Sequence, residues 1–183
     1  MKRIVLLVWT VVLPIFLMSS VQAQIFGGPQ SMKGKVVVGA DVGAGMYGDC
    51  FYVGIAPQAG YRLTRSLELG VRLGYELNHY NDYYYGSYNC HYFSGSAYTN
   101  LEIYRGLYLH AEDEELCMLI RGNAVNPNAP SWYNSVFVGV GYRQYSFDSS
   151  YIYYAFLYNL SWDYANSPYA SPYVIRAGVC FAL

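Results

Sequence analysis

Charge is scarce in this 183-residue sequence, where Asp, Glu, Lys and Arg together make up 13%. The 11 basic and 12 acidic residues nearly cancel, so no basic surface advertises a nucleic-acid partner. Histidine is rarer still, limited to His79, His91 and His110. The four cysteines, Cys50, Cys90, Cys117 and Cys180, are widely spaced and form no CxxC pair. A zinc site therefore lacks its usual ligand spacing, and neither a metal nor another cofactor is expected. Past the N-terminal segment no apolar run approaches the ~20 residues of a membrane-crossing helix. In the most regular stretch, 67–78, no i, i+3, i+4 stripe survives, which argues against an amphipathic helix.

Tyrosine and glycine are abundant instead, with 23 and 18 copies, and the chain alternates between apolar and polar residues. Leu67, Leu69, Val71, Leu73, Tyr75 and Leu77 face one way, with Glu68, Gly70, Arg72, Gly74, Glu76 and Asn78 opposite. That period of two is the signature of a strand. The same pattern predicts strands over 35–46, 50–62, 67–78, 90–104, 107–120, 132–145, 151–164 and 172–183. Short turns are expected at 63–66, 105–106 and 146–150, and longer loops at 79–89, 121–131 and 165–171. Pro57, lacking an N–H, predicts a bulge in the second strand. Strict alternation would also point Asp113 and Glu115 outward. A bulge near 114–115 would return Leu116, Met118 and Ile120 to the outer face, and a short helix is the alternative. Simple alternation puts Cys90 and Cys117 on opposite faces, so free thiols are expected.

The two ends add context. Lys2 and Arg3, the apolar run 4–18 and the small residues through Ala23 form a secretory signal pattern, with cleavage expected before Gln24. Pro14 interrupts the apolar run, which is short for a membrane anchor. Residues 24–34 would be a periplasmic lead-in and 35–183 the folded unit. At the other end, Arg176-x-Gly178-x-x-Phe181-x-Leu183 resembles the C-terminal assembly signal of bacterial outer-membrane barrels. The chain as a whole resembles small eight-stranded barrels of the OmpA/OmpX type. The run 106–112 with 139–143 is similar to a group common in the Bacteroidota.

The expected fold is all-β, an eight-stranded antiparallel up-and-down transmembrane β-barrel. A soluble barrel or sandwich also alternates. It does not, however, explain an apolar face nearly free of charge, with aromatics near strand ends. The resemblance implies the outer membrane as location, lipid and the outer-membrane assembly machinery as partners, and a monomer. An eight-stranded barrel is just wide enough for side chains to fill. Asp41, Glu68, Arg72, Glu76, Glu102, Glu112, Arg143, Asp163 and Arg176 are therefore expected to form an ionic lumen network, since buried charges must be paired.

A structural or surface-exposed role follows, with no catalytic residue and no assignable substrate. Three alternatives stand beside it. One is a narrow channel. Another is an enzyme modifying outer-leaflet lipid, which would need a His beside a Ser nucleophile or an acid. Here His91 and Ser94 fall on opposite faces, while His110 shares a face with Glu112 but has no Ser motif nearby. The third is a soluble secreted β-barrel. The surface-exposed reading itself allows an extracellular protein or glycan partner through loops 79–89 and 121–131.

Overall fold

The computed structural model describes residues 33–47, 50–82, 86–121, 130–145 and 150–183. The expected signal peptide, the lead-in up to residue 32, the 146–149 turn and residues 122–129 lie outside them. The strands are β1 (Val36–Tyr47), β2 (Cys50–Arg62), β3 (Leu67–Asp82), β4 (Gly86–Tyr104), β5 (Leu107–Arg121), β6 (Ser131–Tyr145), β7 (Ser150–Asn159) and β8 (Tyr173–Ala182). Each pairs antiparallel with the next, and β8 returns to β1, closing an eight-stranded up-and-down barrel. Between β4 and β5, Arg105 and Gly106 take φ of 41° and 92°. Positive φ at both positions is what a two-residue I′ hairpin turn demands. This turn and the 63–66 turn mark one end of the barrel, here called the turn end. The opposite loop end carries the β3–β4 hairpin and residues 160–172.

The faces fall as the alternation predicts. Along β2, Phe51, Val53, Ile55, Pro57, Ala59 and Tyr61 are exposed, while Ala56, Gly60 and Arg62 are buried. The glycine-rich inner face has a packing reason. A Cβ on Gly70 would run into the Tyr98 ring, one on Gly141 into Tyr108, and one on Gly178 into Tyr153. Each missing side chain makes room for a tyrosine from a neighbouring strand.

Several boundaries differ from expectation. Most of 79–89 is strand: β3 and β4 stay paired out to Asp82–Gly86, stacking Tyr80 on Tyr88 at 5.0 Å. Arg121 and Ser131 likewise belong to β5 and β6. Strand β7 stops at Asn159, five residues earlier than predicted. There the Asn159 side chain accepts the Ser161 N–H at 2.9 Å, which starts the turn.

Pro57 makes no bulge. The β1–β2 register runs through it unshifted, and the β2–β3 ladder merely lapses at 56–57 before resuming in the same register. Nor is there a bulge or helix at 112–115, where β5 pairs continuously with β4 and β6. Asp113 and Glu115 do face outward, and Asn134 donates to both, at 2.9 and 3.1 Å. Leu116 is consequently buried in the lumen rather than returned to the outer face. The register shift in this region falls instead between Glu102 and Tyr104. All four cysteines are free.

Candidate functional site

The inward charges gather in two layers. Nearer the turn end, Arg62 of β2 and Arg143 of β6 share Glu68 of β3, at 3.2 and 3.1 Å. Both also approach Glu102 of β4, at 3.7 and 3.9 Å. Tyr145 joins them, accepting from Arg62 at 2.8 Å and donating to Glu102. Asn100 donates to Glu68 at 3.1 Å. The Arg143 guanidinium lies 4.6 Å from the Tyr108 ring centre and 5.0 Å from that of Tyr151. Two cations meet two anions here, all four fully buried.

The second layer lies toward the loop end. Arg72 of β3 makes a two-pronged contact with Asp41 of β1, at 3.3 and 2.7 Å. It also reaches Glu112 and Glu114 of β5, at 3.8 and 3.6 Å. Arg176 of β8 donates to Glu112 and lies 3.6 Å from Glu114. His110 ties the two layers, with its ring nitrogens 2.6 Å from Asn100 Oδ1 and 2.9 Å from Glu112 Oε2. Between the layers, Glu112 Oε1 and Arg143 Nε and Nη1 have no direct hydrogen-bond partner. They border a void of about 20 Å³, which has the room and polar walls for one water.

Above the second layer is a larger cavity of about 240 Å³, lined by Asp41, Arg72, Glu76, Glu114 and Arg176 among others. Tyr169, from the segment after β7, reaches into it, donating to Glu114 and meeting Phe137 edge-on at 5.4 Å. Burial first, and the neighbouring Glu114 next, hold the Tyr169 phenol neutral far above its usual range. Trp162 Nε1 anchors the segment by donating to the Tyr169 carbonyl at 2.9 Å.

Of the nine lumen residues expected, Asp41, Glu68, Arg72, Glu102, Glu112, Arg143 and Arg176 join the two layers. Glu76 lines the cavity but, among the described residues, makes no ion pair; its carboxylate meets the Asn78 amide. Asp163 is a correction. It lies fully exposed beyond the end of β7, accepting from Asn166 at 2.6 Å and from the Ala165 N–H at 3.2 Å. Two network members were not anticipated, Arg62 and Glu114. Arg62 lies on the inner face of β2, at the strand end beside the 63–66 turn. Glu114 was obscured by the assumed bulge.

In the terminal motif, Arg176 is buried and Gly178 lies under Tyr153, while Phe181 and Leu183 point outward. The histidines outside the network are accounted for as well: His79 meets Asn89 at 2.7 Å, and His91 meets the Tyr75 hydroxyl at 3.0 Å. None of the three has a Ser or Cys partner among the described residues.

No family model matches the chain, and no curated protein matches it. Among solved structures, it is similar to the N-terminal β-barrel domain of Pseudomonas aeruginosa OprF. That likeness has 14% identity and a TM-score of 0.46, over 82% of this chain and 98% of the other. The eight-stranded closure itself is established by the strand pairing described above.

Proposed function

We propose that the chain is an outer-membrane β-barrel protein with a structural or surface-exposed role. The observation that carries this is an inside-out distribution of polarity. The largest fully buried side chains include Arg62, Arg143, Glu68, Glu102 and Glu114, whereas Val42 and Ile175 are 74% and 77% exposed. Water would reward the opposite arrangement, by about 25 cal/mol per Å² of apolar surface covered. A lipid surround removes that penalty, and a barrel closed by β1–β8 pairing is one of the two architectures able to span it.

The spacing of outward aromatics supports the same surround. Phe51 and Tyr61 bracket β2, and Trp132 and Tyr142 bracket β6, all of them exposed. Ten residues rise ~33 Å along a strand, or ~25 Å when tilted by ~40°, the height of an outer-membrane apolar band. Phe181 and Leu183 stand free on the outer face, where an assembly machinery could read them.

The β3–β4 hairpin, longest of the strand pairs, offers His79, Asn81, Ser87 and Asn89 on one side. It is the part we assign to an extracellular protein or glycan. Two salt-bridged layers across the lumen favour a sealed barrel over a conducting one. The partners of His79, His91 and His110 favour a non-catalytic role.

The test is refolding into lipid vesicles. The folded protein should run anomalously on a gel until it is boiled, and its strands should resist added protease. A chain that stays soluble and monomeric without detergent or lipid would overturn the proposal.

A further inference from the structure

The loop-end half of the lumen holds one carboxylate more than its cations serve. Arg72 and Arg176 engage Asp41, Glu112 and Glu114. Glu76 lines the same 240 Å³ cavity and makes no ion pair among the described residues. Even with His110 counted as a third cation, three cations stand against four carboxylates. A carboxylate drawn out of bulk water without a counter-charge is unfavourable. The Asn78 amide gives Glu76 a neutral hydrogen bond and also donates to the Tyr80 hydroxyl. Its own Oδ1 is left with no donor.

The strand register shows why no side chain of this protein completes Glu76. In the turn-end layer, Glu68 stands between Arg62 on β2 and Asn100 on β4, and both donate to it. The corresponding neighbours of Glu76 are Gly54 on β2 and Tyr92 on β4, and beyond Gly54 comes Gly43 on β1. A Cβ on Gly54 would touch Glu76 Cβ and Cγ at 3.4 Å. Gly43 has no partner on β8, because the β1–β8 ladder runs only from Val37–Ala182 to Asp41–Gly178. A Cβ on Gly43 would meet nothing closer than the Tyr52 ring, at 3.9 Å.

These two glycines differ from Gly70, Gly141 and Gly178, where a tyrosine ring fills the space. They leave a slot along the inner wall instead. Two strand spacings of about 4.8 Å make it ~10 Å long, running from Glu76 across Gly54 to Gly43. Tyr52 and Tyr92 line the same cavity. The slot suits a short aliphatic body with a charged end.

The charged end must be a cation. A bare metal ion does not fit, since among the described residues no three His, Cys, Asp or Glu side chains converge as ligands. A primary ammonium does fit. It brings one positive charge and three N–H donors to a carboxylate without a counter-ion and an amide oxygen without a donor. We infer that the loop-end cavity binds a short-chain primary amine in its ammonium form, the head at Glu76 and Asn78 and the body along Gly54 and Gly43.

The slot lies inside the barrel, so the inference stands apart from what surrounds the outer wall. Protein folded in dodecyl maltoside is titrated calorimetrically with butylamine, tetramethylammonium and butyrate at neutral pH. Near-ultraviolet circular dichroism reports whether each sample is folded, and insertion into vesicles tests the membrane reading separately. One butylamine should bind per chain, at least tenfold more tightly than butyrate or tetramethylammonium, which carries the charge but no N–H.

Glu76→Gln and Gly43→Leu should each weaken butylamine binding at least tenfold. Glu76 has no ion pair to lose and Gly43 has room for a Cβ, so both variants can fold. Asp113→Asn, which removes a charge from the outer wall, should leave binding unchanged. Undiminished binding in either folded lumen variant would overturn the inference, as would tetramethylammonium binding as tightly as butylamine. An equal loss in Asp113→Asn would also overturn it, for the attraction would then be diffuse.

Discussion

The two ionic layers are both built from arginines and carboxylates, but they draw on different strands, sharing only β3, and they differ in balance and in seal. The turn-end layer sets Arg62 and Arg143 against Glu68 and Glu102, two charges of each sign with every partner shared. The loop-end layer spreads Arg72 and Arg176 over Asp41, Glu112 and Glu114, with Glu76 left over. The first is wrapped by Tyr108, Tyr145 and Tyr151 and borders a void of about 20 Å³. The second opens into 240 Å³ beside an incomplete seam. Buried ion pairs as such do not predict function. One layer neutralises itself, and the other carries an excess of carboxylates.

The sharpest break of that comparison is a pair of neutral substitutions of one chemical kind. Glu68 accepts from Arg62 and Asn100 and pairs with Arg143. Glu68→Gln leaves two buried guanidiniums leaning on a distant Glu102, so it should cost about 3–5 kcal/mol, the range for removing one partner of a buried pair. Glu76→Gln removes a carboxylate with no ion pair and relieves the acid excess. It should change stability by less than about 1 kcal/mol, in either direction. Urea titration of both variants in lipid vesicles measures the contrast. Equal costs would mean that the two layers are energetically alike.

A smaller effect tests the wall that surrounds both layers. Val71 is 56% exposed on β3 and sits beside the inward-facing Arg72 of the loop-end layer. Val71→Arg should cost about 2–4 kcal/mol if the position is near mid-membrane and less toward an interface. The same titration serves. A harmless Val71→Arg in a thick bilayer, together with a severe Glu68→Gln, would overturn the lipid-facing assignment in favour of a soluble barrel.

How much of this could be read from the chain depended on whether a physical pattern was present to read. Each strand's faces were legible, because one face is apolar and the other glycine, tyrosine and charge. The far end of the β3–β4 hairpin was not, since Tyr80, Asn81, Ser87 and Tyr88 alternate no hydrophobicity and resemble loop composition. Asp163 was misplaced by the opposite error. The apolar alternation of Leu160 and Trp162 continues past the true end of β7, where Asn159 caps the turn. At Asp113 and Glu115, outward acids seemed to require a bulge. The structure instead keeps the register and lets one amide, that of Asn134, serve both carboxylates. Neither the layers' unequal balance nor the short β1–β8 ladder has a local signature, because both depend on which strands become neighbours.

The smallest effect expected concerns the segment that carries Tyr169 into the loop-end cavity. At its start, the Asn166 amide and then the Ala165 N–H hold the Asp163 carboxyl below the usual Asp value of 3.8. A carboxylate whose pKa is lowered by folding stabilises the folded form above its unfolded pKa, and that contribution fades as pH falls through the folded value. The side chain is fully exposed, so the consequence is local order in the turn rather than global stability. Hydrogen exchange at the Ala165 amide should therefore quicken, relative to its intrinsic rate, as pH is lowered from about 5 toward 2. In Asp163→Asn the amide oxygen can still accept that N–H but carries no titrating charge, so protection should be weaker and flat over the same range. A wild-type profile as flat as the variant's would show that the turn is held by its backbone bonds alone. The Tyr169 segment would then owe its position to Trp162 and Glu114, not to the charge at its start.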